Sequence, residues 1–151
     1  MRRFSRIFAW TTLFFVAGAV LFFTKAAALP YKVAWPVLLL SLATFLSRRR
    51  ELLPFGFAFL FSAAGDAVGA RGLFIPQMAF FALAHAAYVC WFLPRARRRL
   101  RAVSLAVTVP LLVFLFAAIV PEAPFPAERI GVAVYGLVIA AMLYSALQYD
   151  G

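Results

Sequence analysis

The chain has 151 residues, 66% of them hydrophobic and 13% charged, with a net charge of +10 and a mean hydropathy of +0.97. Soluble domains are about 45–50% apolar, and a chain this small has too little interior to hide the excess, so lipid must cover it and a water-soluble globule is excluded. A basic excess can mark nucleic-acid binding, but here the basic residues sit in short clusters between apolar runs, which points to anionic lipid headgroups and away from nucleic acid.

A spanning helix needs about 20 mostly apolar residues. Six segments qualify, near residues 7–23, 31–46, 52–68, 73–93, 102–120 and 130–149. The expected fold is therefore all-α, a polytopic transmembrane helix bundle with about six spans in a single domain. The second span is the weakest. Its apolar run is Val33–Leu46, with Pro36 near the start, and it reaches further back only if Lys32 snorkels or faces a polar cavity. Pro110 inside the fifth span predicts a kink. The acidic stretch PEAPFPAER (121–129) reads as an external loop, because its prolines break helices.

The loops alternate in charge. Arg2, Arg3 and Arg6, then Arg48, Arg49 and Arg50, then Arg95, Arg97, Arg98, Arg99 and Arg101 fall on one side; Lys25, Lys32, Arg71 and Arg129 fall on the other. The positive-inside rule then places both termini in the cytoplasm of a multi-pass protein of the cell membrane, of the bacterial inner-membrane kind. A second reading treats residues 2–27 as a secretory signal peptide, with a basic start, an apolar run and a small-residue stretch, and would leave five spans.

Polar residues inside spans are where chemistry belongs, because an Asp near a helix centre costs about 2.5–3.5 kcal/mol on insertion scales. Ser62 and Asp66 are four apart on the third span, and His85 and Tyr88 are three apart on the fourth, so each pair shares a helix face. A short loop makes these two spans antiparallel neighbours, with Asp66 in the outer half and His85 nearer mid-membrane, several Å deeper. Each residue also has a plain structural reading. Asp66 lies in GDAVGARG and could be a turn residue, His85 could be an interhelical hydrogen-bonding residue, and Tyr88 could be packing. Trp10, Trp35 and Trp91 lie near span ends and read as interfacial anchors. Cys90 is the single cysteine and reads as a small buried residue. One histidine without a carboxylate cluster argues against a catalytic metal, and no cofactor is expected.

The stretch FAFLFSAAGDAVGA followed by RGLFIPQMAFFALAHAAYVCWFL resembles the YhhN, or lysoplasmalogenase, family of membrane proteins. Gly65, Asp66, Phe81, Ala84, His85 and Tyr88 match that family's GD…F…AH..Y pattern in order and spacing. YKVAWPVLLLSL resembles its Lys-Pro segment through Lys32, and VAVYGLVIAAMLYSAL resembles its sixth helix through Tyr135 and Met142. There are two departures. Val33, rather than proline, follows Lys32, with Pro36 later. The family's eight or so spans include a later helix with a Ser-Asp pair, whereas this sequence ends at Gly151 with Asp150 in another context. The expectation is a shortened or an inactive member.

The resemblance implies hydrolysis of the vinyl ether of lysoplasmalogens to a fatty aldehyde and a glycerophospho-base. On this reading the catalytic residues are Asp66 and His85, and the substrate-binding residues are Lys32, Ser62 and Tyr88. Lys32 would contact the lipid phosphate, and Tyr88 would orient water or substrate. The expected partners are membrane lipids and a lysophospholipid-like substrate. Two other functions fit the same residues: a small lipid or proton-coupled transporter with Asp66 and His85 as a proton relay, or a non-catalytic membrane protein.

Overall fold

The computed structural model describes residues 2–23 and 32–149, and among them the chain forms six α-helices. These are α1 (Arg2–Phe23), α2 (Trp35–Leu46), α3 (Leu53–Gly69), α4 (Phe74–Phe92), α5 (Arg101–Phe114) and α6 (Pro126–Ala146). Short 3₁₀ turns lead into α3 and α5, and α5 continues through a π-helical turn, Leu115–Ile119, into a 3₁₀ turn, Val120–Glu122.

Taken with their flanking turns, four helices are long and apolar enough to cross a membrane: Arg50–Gly69, Phe74–Arg95, Arg101–Glu122 and Pro126–Ala146. Helix α2 is different. Its 12 residues rise about 18 Å, well short of a hydrocarbon core of about 30 Å. The expected extension back past Lys32 does not form: Lys32–Ala34 make a turn, with Lys32 exposed, and α2 starts at Trp35 with Pro36 in its first turn. Position 31 and Lys25 lie outside the described residues. The last span also differs from expectation. Pro126, read as part of a helix-breaking loop, instead begins α6. A proline at the first helical position loses nothing, since its missing N–H would have had no partner there. In the fifth span the α-helix runs unbroken through Pro110, and the departure from α geometry falls one turn later, at the π-helical turn.

The helices stand in a row whose order is not the chain order. Helix α1 packs on α2, α2 on α3, and α3 on α4; α6 comes next, and α5 lies beyond it. Helices α3 and α4 run antiparallel, since Phe55 meets Trp91 while Gly69 faces Gln77. Helices α4 and α6 run parallel, since Met78 faces Gly131 and Trp91 meets Tyr149. The α4–α5 connection therefore crosses the end of α6. It is pinned there by an antiparallel bridge between Ala96 and Tyr149 and by the Arg97 N–H donating to the Gln148 carbonyl at 2.9 Å.

The interior is made of small residues. Among the described residues the buried apolar side chains are Ala34, Ala43, Ala58, Ala63, Ala84, Ala140 and Met78, while many of the large ones, from Trp10 to Tyr149, are exposed. That inversion suits lipid, where helices associate through close backbone approach rather than by hiding leucines from water. A Cβ on Gly18 would lie 2.6 Å from the Pro36 Cα, and one on Gly56 would lie 2.8 Å from the Phe45 ring. Buried hydroxyls are satisfied mostly by nearby carbonyls. Ser41 donates to the Gly56 carbonyl across the α2–α3 seam at 2.9 Å, and Ser104 donates to the Leu100 carbonyl at 3.0 Å.

The helix pairings bring the basic clusters at Arg48–Arg50 and Arg95–Arg101 to one end of the row. Trp91 ties the two together. Its indole N–H donates to the Glu51 carbonyl at 3.0 Å, its ring stacks edge-on with Phe55, and the Arg95 guanidinium lies 4.5 Å over it. Trp91 is thus an end-of-span residue, as expected, and also a contact point for the turn before α3, the α4–α5 connection and the end of α6.

Candidate functional site

Helix α3 presents a stripe at helical spacing: Phe55, Phe59, Ser62 and Asp66. The lower part of this stripe touches α4, where the Tyr88 ring packs edge-on against Phe55 and Phe59 at 5.6 and 6.4 Å between centroids. On α4 the matching stripe is Phe81, His85, Tyr88 and Phe92, again at i, i+4, i+7 and i+11. The opposite side of the same two helices is an apolar groove of about 410 Å³ lined by Leu53, Pro54, Phe57, Phe61, Leu83, Ala86, Ala87 and Cys90. One side of the α3–α4 pair is therefore apolar, and the other bears Ser62, Asp66, His85 and Tyr88. Cys90 lies on the apolar side and is exposed there, not buried as its type suggested.

Asp66 lies in the last turn of α3, inside the helix. Its own carbonyl accepts from the Ala70 N–H at 3.0 Å. Its place at the end of α3 agrees with the helix-end reading, but a carboxylate at a helix C-terminus gains nothing from the helix dipole and caps no free N–H. Glu51, Glu122 and Glu128 lie at helix starts or in turns, and Asp150 lies outside the described residues. Of the described acidic side chains, Asp66 is set furthest inside an apolar helix. Among the described residues it has no ion-pair or hydrogen-bond partner.

Glycines set the height of Asp66 against α4. A Cβ on Gly65 would meet three atoms of the Phe81 ring at 3.1–3.2 Å, and one on Gly69 would meet the Gln77 amide at 2.5 Å. Asp66 is thus level with Phe81, and His85 lies one turn, roughly 6 Å, deeper. The structure keeps the vertical offset expected between the two. Both belong to the same side of the α3–α4 pair, and no direct bond joins them among the described residues.

The His85 imidazole is held from its own helix. Its Nδ1 lies 2.7 Å from the Phe81 carbonyl oxygen. A carbonyl only accepts, so Nδ1 carries a proton and Nε2 of the neutral ring is left as an acceptor. The ring is also flanked by Tyr88 at 6.3 Å and by Tyr135 of α6 at 5.6 Å, both edge-on. The reading of His85 as an interhelical hydrogen-bonding residue is thus not what is seen, because its bond lies within α4.

Of the five residues expected at the site, Ser62, Asp66, His85 and Tyr88 fall on one side of the α3–α4 pair. Lys32 lies on neither helix, in the exposed turn before α2 at the end of the row nearer Asp66. Sequence reasoning had placed Tyr135 only within a family-like sixth helix; its contact with His85 depends on α6 lying beside α4, which nothing in the spacing of the chain announces. Among the described residues there is no group of three or more His, Cys, Asp or Glu side chains placed to hold a metal ion.

Apolar helices with small-residue seams, many large residues facing outward, and a carboxyl on the same side of α3 and α4 as a histidine and a tyrosine define a multi-pass α-helical membrane protein with its polar residues gathered on one side. Residues 22–150 match the YhhN family, and the chain belongs to it. No curated protein and no solved structure matches the chain.

Proposed function

We propose that this protein is a membrane-embedded hydrolase that cleaves the vinyl ether of lysoplasmalogen-type lysophospholipids. The observation that carries the reading is Asp66, a lone internal carboxyl set one turn above His85 on the side of α3 and α4 that also bears Ser62 and Tyr88. A carboxyl within a spanning helix is costly in lipid and marks function by default. Membership of the YhhN family adds to it.

The chemistry suits these groups. Protonation of the outer vinyl carbon by the Asp66 carboxyl yields an oxocarbenium ion at the carbon bearing oxygen, which the Asp66 carboxylate stabilises. Water adds to that carbon and gives up a proton to Nε2 of His85. The hemiacetal collapses to a fatty aldehyde and the glycerophospho-base. One water is consumed, and the proton taken from Asp66 is restored through solvent as His85 releases its own. In this reading Tyr88 and Ser62 orient water and the lysolipid, and Lys32 meets the lipid phosphate. The basic end of the row faces the cytoplasm together with both termini, following the positive-inside rule.

The test offers the purified protein a 1-alkenyl lysophospholipid beside its 1-alkyl and 1-acyl counterparts. The reading expects aldehyde from the alkenyl lipid alone. Turnover of the acyl lipid, or proton-coupled uptake into proteoliposomes with no aldehyde, would replace it with an esterase or a transporter.

A further inference from the structure

We propose that Tyr135 of α6 is a positioning residue for His85, fixing which imidazole nitrogen is presented to the polar side of the α3–α4 pair. The bond from Nδ1 to the Phe81 carbonyl, 2.7 Å long, sets the tautomer. It does not by itself fix the ring, because the last side-chain torsion of histidine is broad and roughly two-fold. A half-turn about that torsion exchanges Nδ1 with a carbon and breaks the bond. The Tyr135 ring stands edge-on to the imidazole, with centroids 5.6 Å apart and planes at 79°, and this contact is what would oppose such a turn.

Tyr135 is itself braced. Its ring lies 6.5 Å from that of Phe81, and Phe81 is pressed against Gly65 of α3, the residue before Asp66. Three helices thus converge on one imidazole: α3 through Gly65 and the Phe81 ring, α4 through the Phe81 carbonyl, and α6 through Tyr135. The ring, not the phenol hydroxyl, carries this role. Phenylalanine at position 135 therefore serves as well as tyrosine, while a small or aliphatic residue does not.

His85 is the single histidine of the chain, so ¹⁵N-histidine labelling gives one unambiguous imidazole to follow by NMR in lipid nanodiscs. Wild type and Tyr135→Phe are expected to show one neutral tautomer, protonated at Nδ1. Tyr135→Leu and Tyr135→Ala are expected to show a mixture. The consequence for turnover rests on the hydrolase reading: kcat for aldehyde release falls about 10-fold in Tyr135→Leu and Tyr135→Ala, equivalent to ~1.4 kcal/mol, with KM little changed and Tyr135→Phe close to wild type. A single Nδ1–H tautomer in both folded Leu and Ala variants overturns the proposal. So does a loss in Tyr135→Phe as large as in Tyr135→Ala, which would assign the effect to the hydroxyl. Failure of the wild type to release aldehyde removes the hydrolase reading alone and leaves the tautomer measurement to decide the role of Tyr135.

Discussion

Replacing Gly65 with alanine tests how closely the site depends on the α3–α4 seam. The added Cβ would lie 3.1–3.2 Å from three atoms of the Phe81 ring, whereas carbon–carbon contacts settle at about 3.5–4.0 Å. The ring must retreat by roughly 0.5 Å. It is backed by Tyr135, so the retreat spreads into α6 and toward His85. Two energies compete. Alanine in place of glycine gains up to about 1 kcal/mol in helix propensity, and overpacking costs about 1–3 kcal/mol. The net is a loss of about 1 kcal/mol, with aldehyde release reduced alongside. In a Phe81→Leu background the clash disappears and only the propensity gain remains, so Gly65→Ala then stabilises by up to about 1 kcal/mol. The change of sign is read from a double-mutant cycle of thermal unfolding in mild detergent. The same sign and size in both backgrounds would refute the account of the seam.

Two further substitutions probe what holds the row together. Gly18→Ala drives a Cβ to 2.6 Å from the Pro36 Cα; backbone cannot swing aside as a ring can, so this variant should lose more thermal stability than Gly65→Ala and loosen α1 from α2, seen as faster proteolysis between them. Trp91→Phe keeps the ring cluster but removes the 3.0 Å bond to the Glu51 carbonyl, an expected loss of about 0.5–1.5 kcal/mol, whereas Trp91→Ala should also release the α4–α5 connection and cost clearly more; equal losses would show that the hydrogen bond, not the ring, holds that end.

Much of the architecture was legible in the sequence because lipid imposes a length scale. An apolar run near 20 residues has few fates other than a spanning helix, and α3, α4 and, with the π and 3₁₀ turns that continue it, α5 begin and end close to where the runs do. The site was legible in part for the same reason: Ser62 and Asp66, like His85 and Tyr88, share a face by helical periodicity, and α3 and α4 are joined too tightly to be anything but neighbours. What hydropathy cannot convey is lateral order. Helix α6 sits between α4 and α5, and this alone brings Tyr135 to His85. The start of α2 escaped notice because the charge of Lys32 breaks the apolar run without saying whether the helix continues past it. The start of α6 was missed because Pro126 carries the same letter whether it ends a helix or opens one.

The central claim is that the Asp66 carboxyl delivers a proton to carbon. The most direct measurement follows lysoplasmalogen turnover in D₂O by wild type and Asp66→Asn, a change that keeps size and shape but removes the acid. The account predicts that wild type releases aldehyde with one deuterium on the carbon next to the carbonyl, and that a folded Asp66→Asn is slower by at least ~100-fold, the usual scale for losing a general acid. Aldehyde release by Asp66→Asn at the wild-type rate would contradict it.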